Sequence, residues 1–333
     1  MKLFNAPLKK SLLISLLGLS AFNFACAQTT PATTANAWPT HPINLIVPFT
    51  AGSATDVLAR VFAEKLGAKL GQPVIVDNRV GAGGTIGTSI VAKSPADGYT
   101  LLVVSAGHVV NPVLYTKLNY QLKDLTAVSP LGTQPNVLVV SPKSGIKSIK
   151  ELVARASSVP DGLTFGSAGV GSATHTNAEK FVHGLKLKAT HVPYKGTPQM
   201  LMDVTGGNVD FAFGPVVSAL SLIKDGKITA LAVSSEKRIS ALPNVPTAAE
   251  AGYPQGQFNF WIGMLAPAQT PKAITDRLNK EIMSIMDQPD VVARFDNLGA
   301  LPFKLSASEF EHFINEEAIS LGDVMRKANV TLD

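Results

Sequence analysis

The chain has 333 residues, 46% of them hydrophobic, with 29 Lys and Arg against 24 Asp and Glu and a formal charge of +5. That length accommodates two domains of ordinary size, and no Lys/Arg-rich run of the kind that marks nucleic-acid binding occurs. A single cysteine, Cys26, excludes an internal disulfide and a cysteine-based metal site.

Lys2, Lys9 and Lys10 form a positive start, an uncharged apolar run follows from Leu12 to about Ala25, and Ala25-Cys26-Ala27 precedes Gln28 as a small-residue cleavage pattern. These features predict an export signal over residues 1–27 and a linker, QTTPATTANA, over 28–37. The run is too short for a comfortable membrane span. Acylation of Cys26 is the weaker alternative, because Asn23-Phe24-Ala25 fits a lipobox poorly. Removal of the signal lowers the charge to about +2 and leaves no cysteine. An exported, cysteine-free, nearly neutral chain is expected in the periplasm.

Beyond the linker, apolar β-branched runs alternate with helical periodicity. INLIVPF (43–49) reads as a strand buried on both faces. Val57, Leu58, Val61, Phe62 and Leu66 then share one helical face. PVIVDNR (73–79), the turn GAGGTIG into a helix, and YTLLVVSAG (99–107) complete a βαβαβ unit. A second set runs from NVLVVSP (136–142) through a helix near 149–156, strand LTFGS and a helix from about Ala173 to His183. It continues with strand KATHVPY (188–194), a short helix opened by Thr197-Pro198, and strands VDFAFG and ITALAVSS. FNFWIGMLAP (258–267) and helices at about 271–286 and 307–327 close the chain. The expected fold is α/β with two lobes, each a mainly parallel sheet flanked by helices. Lobe I spans about 38–138 plus 232–333 and lobe II about 139–231, with crossings at 136–142 and 226–234.

Two loops stand out. IVPFTAGSATD (46–56) and LTFGSAGVGSATH (163–175) each leave a strand and open a helix through small residues. Helix N-termini present unpaired N–H groups and a partial positive charge, so each is a ready anion seat. Thr55 or Asp56 is a natural N-cap of the first helix, and Asp56 is expected to hold the loop rather than face a carboxylate. Three glycines, with Ser167, Ser172 and Thr174, equip the second loop for close backbone approach. His108 and His175 lie in loops expected at the cleft, whereas His183 and His191 read as surface or structural. Phe260 and Trp261 are candidates for a pocket wall or for core. GAGGTIG fails the dinucleotide fingerprint at Ile86, no Walker motif occurs, and the six histidines show no metal-ligand spacing. A secreted serine hydrolase using Ser167 or Ser172 is the rival enzymatic reading, weakened by the absence of G-x-S-x-G.

The series WPTHPINLIVPFTAGSATDVLAR, QPVIVDNRVGAGGTIG, SPADGYTLL, NPVLY, THVPYKG, LPNVPTAAEAGYP and WIGMLAPAQTP resembles the solute-binding proteins of tripartite tricarboxylate transporters, the Bordetella uptake family. The resemblance covers about residues 38–333. It implies a non-catalytic, two-lobed periplasmic receptor without a cofactor. Such a receptor acts as a monomer, captures a small organic mono-, di- or tricarboxylate, and delivers it to membrane permease subunits. A sensor protein at the membrane is the alternative recipient. In the family the carboxylate is gripped by backbone amides of the two loops. Carried onto this chain, the resemblance implies binding by Phe49, Ala51, Gly52, Ser53 and Asp56, and by Ser167, Ala168, Gly171, Ser172 and His175. Ser105 to His108 and Lys195-Gly196 border the cleft. Ser53 stands where the family pattern A-G-G has its second glycine.

Overall fold

The computed structural model describes residues 38–327; the export signal, the linker and Cys26 lie outside the described residues. Two five-stranded sheets organise the chain. The first contains β1 (Ile43–Val47), β2 (Val74–Asn78), β3 (Thr100–Ser105), β4 (Leu125–Thr133) and, from far along the chain, β10 (Trp261–Pro267), in the order β2-β1-β3-β10-β4. The second contains β5 (Asn136–Val140), β6 (Leu163–Ser167), β7 (Ala189–Pro193), β8 (Phe211–Pro215) and β9 (Thr229–Val233), in the order β7-β6-β8-β5-β9.

The two sheets repeat one plan. Three strands run parallel, and the fourth runs antiparallel to both of its neighbours. Each sheet is therefore mainly parallel but mixed, four strands running one way and one the other. The reason is in the connections: β5 enters the second sheet directly from the first, and β10 returns to the first directly from the second. The segments 136–142 and 226–234, expected as crossings, hold strands β5 and β9 of the second sheet. The chain passes between sheets at Gln134-Pro135 and again after Val233.

Helices pack on both faces. α1 (Ala54–Leu70), α2 (Thr85–Ala92), α3 (Asn111–Leu114), α8 (Lys272–Met286), α9 (Pro289–Leu298) and α10 (Ala307–Lys327) surround the first sheet. α4 (Ile149–Ser158), α5 (Ala173–Gly184), α6 (Thr197–Gly206) and α7 (Val216–Lys224) accompany the second. The hydrophobic stripe expected for α1 is buried at Leu58, Val61, Phe62 and Leu66. Sequence periodicity overlooks β4, α7 and α9. β4, with its Ser, Pro and Gly, shows no clean alternation because it is buried along most of its length. Trp261 belongs to the core: it is fully buried and meets Phe310 edge-on at 5.5 Å. Among the described residues, no helix is long and apolar enough to cross a membrane.

Candidate ligand-binding cleft

β1, β3, β6 and β8 all end towards the space between the lobes, where ligands of open α/β sheets are bound. The loops after β1 and β6 share the pentad Gly-Ser-Ala-Thr-X, with X as Asp56 in the first and His175 in the second, and they fold alike. Gly52 and Gly171 turn the chain at φ +78° and +80°. Ser53 and Ser172 follow with nearly equal backbone angles, φ −68°, ψ 159° and φ −67°, ψ 159°. Each serine is the N-cap, its Oγ accepting from the amide three residues on at 3.3 Å. The N-cap of α1 is therefore Ser53, not Thr55 or Asp56.

The fifth residue of each pentad braces its own loop. Asp56 Oδ2 accepts from the Gly52 amide at 2.9 Å, and His175 Nδ1 accepts from the Gly171 amide at 3.2 Å. Asp56 also receives Arg60 and Asn78. Burial raises its pKa, but the hydrogen bonds from Arg60, Gly52 and Asn78 and the Arg60 charge outweigh that and hold it below the usual carboxylate value. His175 is buried and places Nε2 3.1 Å from Glu179. With Nδ1 accepting, the ring proton lies on Nε2 and is donated to that carboxylate. Both residues fix loop geometry from behind.

Two cavities occupy the cleft. The inner one, about 10 Å³, is lined by Ser53, Ala54, Thr55, Ser172, Ala173, Thr174 and Thr197, with Phe49, Ser105, Ala168, Pro215 and Phe260. It lies where the first two residues of α1 and of α5 meet. A helix cannot satisfy its own first amides, and each serine cap engages only the third. The outer chamber, about 550 Å³, shares Phe49 and Ala168 with the inner cavity. Its remaining wall is largely apolar or aromatic: Pro48, Val170, Pro193, Tyr115, Tyr194 and the glycine-rich turn 81–84. Lys195 is the one cationic side chain lining it among the described residues.

Of the residues singled out from sequence, Phe49, Ser53, Ser105, Ala168, Ser172 and Lys195 line these cavities. Ala51, Gly52, Asp56, Ser167, His108, Gly171, His175 and Gly196 do not. Ser167 is fully buried, with Oγ 2.6 Å from His191 Nε2 and accepting from the Gly169 amide at 3.1 Å. His108 is buried against Tyr120. Gly196 abuts Thr50: a Cβ there would stand 1.9 Å from Thr50 Oγ1. Sequence reading overlooked Ala54, Ala173, Thr197 and the 81–84 turn as lining. The repeated GSAT tetrad carried the signal for the first two, since it sets each serine as cap and the next residues at the helix mouth.

The Ser167–His191 pair has the spacing of a nucleophile and its base, but not the chemistry. Burial and the neighbouring His175 push His191 down to about 3, too weak a base for proton abstraction at neutral pH. Both lobes meet above the cavities: Tyr115 Oη donates to the Val170 carbonyl at 3.4 Å, and Ser218 Oγ to the Gly52 carbonyl at 3.3 Å.

Residues 58–330 match the tripartite tricarboxylate transporter family receptor. The chain is 37% identical over 320 residues to protein BugT of Bordetella pertussis, an alignment covering 95% of this chain and 98% of BugT. Among solved structures, Rpa4515 of R. palustris, determined with adipate, superposes with a TM-score of 0.85 at 34% identity, over 89% of this chain and all of that one. MatC of Rhodopseudomonas palustris, with bound malate, gives 0.82 at 33% identity, over 86% of this chain and 99% of MatC. The two-lobed periplasmic-binding-protein fold is thereby shown, and these relatives are solute-binding receptors, not enzymes. With its paired helix mouths facing one cleft, this chain belongs to the tripartite tricarboxylate transporter receptor family.

Proposed function

We propose that this chain captures a small organic carboxylate in the periplasm and delivers it to the membrane permease of a tripartite transporter. One carboxylate enters between the N-termini of α1 and α5, held by main-chain amides of Ala54, Thr55, Ala173 and Thr174. The rest of the molecule extends into the outer chamber past Phe49. The observation that carries this reading is the convergence of two like-folded GSAT loops, one from each lobe, on a single void. A chamber of about 550 Å³ suits a small ligand, and relatives solved with adipate and malate support the ligand class. Export through residues 1–27, with the lobes hinged at Gln134-Pro135 and within 234–260, completes the proposal.

Lys195 at the chamber wall favours a second carboxylate on the ligand. A thermal-shift panel of mono-, di- and tricarboxylates tests the class. A true ligand at a hundredfold excess over its Kd adds about 2.7 kcal/mol of stability, and a panel without any shift refutes the proposal. Lys195→Met is expected to weaken adipate at least tenfold while leaving the matching monocarboxylate, hexanoate, within twofold. Equal loss for both acids would remove Lys195 from ligand selection.

A further inference from the structure

Two side chains of the lobe built on the first sheet are pressed against glycines of the other lobe. The backbone of Gly196 lies so close to Thr50 that a Cβ on the glycine would stand 1.9 Å from Thr50 Oγ1 and 3.0 Å from its Cβ. A Cβ on Gly171 would stand 2.5 Å from Oδ1 of Asn111, the first residue of α3. Only the missing side chains of these glycines let the lobes come this near.

Each contact strands a hydrogen-bonding atom. Thr50 Oγ1 and Asn111 Oδ1 are buried, and neither has a partner among the described residues. Asn111 Nδ2 donates to Tyr120 Oη at 3.3 Å, so the unpaired atom of that amide is the one turned towards Gly171. A polar atom that gives up water without gaining a partner opposes the step that buries it, by more than an ordinary hydrogen bond returns. Two hydrogen bonds join the lobes away from the crossings among the described residues, Tyr115 to Val170 and Ser218 to Gly52, and both are long at 3.4 and 3.3 Å. In polar contacts, then, closure without a ligand is a poor exchange.

We propose that Thr50 and Asn111 form a closure gate, two groups hydrated in the open receptor and stranded in the closed one. The empty receptor therefore rests open, and it closes when a carboxylate at the helix mouths adds contacts that outweigh the stranded pair. The inference rests on the capture reading above and adds to it the reason that closure reports a loaded cleft. Apparent affinity is reduced by the fraction of free receptor able to close, so removing a stranded group tightens binding although it touches no ligand.

Small-angle scattering of the dialysed, unsubstituted chain, which needs no variant to fold, is expected to give a radius of gyration larger than that of the arrangement described here. Titration calorimetry with adipate then compares Thr50→Val, which keeps the shape and removes the hydroxyl, with Thr50→Ser, which keeps the hydroxyl. The valine variant is expected to bind at least threefold more tightly than the serine variant, and Asn111→Leu at least threefold more tightly than the unsubstituted chain. A ligand-free chain already as compact as this structure would overturn the proposal, as would equal or weaker adipate binding in both Thr50→Val and Asn111→Leu. Tightening in one alone assigns the gate to that residue. Failure of the unsubstituted chain to bind any acid of the carboxylate panel counts instead against capture, and the scattering still judges the gate.

Discussion

Ser53 replaces a glycine of the family pattern and, with Ser172, does the work of a cap. Loss of a serine N-cap costs about 1 kcal/mol when alanine replaces it and only a few tenths when glycine does. Urea unfolding of Ser53→Ala and Ser172→Ala is therefore expected to show destabilisation of about 1 kcal/mol each, with most of it recovered in the glycine variants. Equal losses for alanine and glycine would mean that the hydroxyls are not acting as caps. His108 supplies a pH signature. Burial pushes it down to about 4, and its Nδ1 has no partner among the described residues. Unfolded histidine titrates near pH 6.5. Between those values the unfolded chain binds a proton that the folded chain refuses, so stability falls as pH falls through that window. The loss from His108 is about 3 kcal/mol in all. His191 acts in the same direction, down to about 3. Calorimetric melting is expected to show Tm dropping from pH 7 to pH 4, with the slope reduced in His108→Phe, whose ring keeps the Tyr120 stack. An unchanged slope would assign the acid lability elsewhere.

At the scale of elements, α1 and α5 are equivalent devices placed in different lobes. Each begins after a strand, turns on a left-handed glycine, is capped by serine, and has its loop braced by the third helical side chain. The brace differs, carboxylate in one and imidazole in the other, so the two helix mouths differ in charge behind the loop. Asp56→Asn removes the charge that pairs with Arg60 and weakens the acceptor for the Gly52 amide. Hydrogen exchange at the Gly52 amide is expected to speed up by tenfold or more, while the Gly171 amide is unaffected. Acceleration at both would point to general loosening of the fold rather than local bracing.

At the scale of the molecule, capture depends on how closely the lobes approach. Gly107 sits between β3 and His108, and a Cβ there would stand 2.2 Å from the Gly171 carbonyl oxygen and 2.7 Å from the Ala173 nitrogen. Both of those atoms belong to the other lobe's loop. The backbone at Gly107 is not in the left-handed region, so alanine there adds bulk without dihedral strain. Gly107→Ala is accordingly expected to leave each lobe folded, to weaken carboxylate binding at least tenfold, and to abolish any ligand-induced contraction in small-angle scattering. Full affinity in this variant would show that the lobes need not meet at that point.

Much of this architecture was legible in the linear chain. Continuous β-branched runs and the 3.6-residue stripe of α1 are local signals, and they located most strands and helices as well as both small-residue loops. Even the likeness of the two loops is written in the repeated GSAT. What periodicity missed were elements whose identity depends on neighbours: β4, buried along most of its length, and the short helices α7 and α9. The exchange of β5 and β10 between sheets is likewise a long-range pairing that no local pattern encodes. Whether a loop residue faces the ligand or supports the loop was decided only in three dimensions. Asp56 and His175 sit beside the capping serines in sequence, yet the helical turn carries their side chains back onto their own glycine amides. Phe260 lies more than 200 residues from Ser53 in the chain, and only the return of β10 into the first sheet brings it to the wall of the same void. Composition and periodicity determine which segments form strands, helices and anion-seating turns, because those depend on neighbours a few residues away. The cleft, its lining and its closure belong to the tertiary structure, because they arise where distant segments pack.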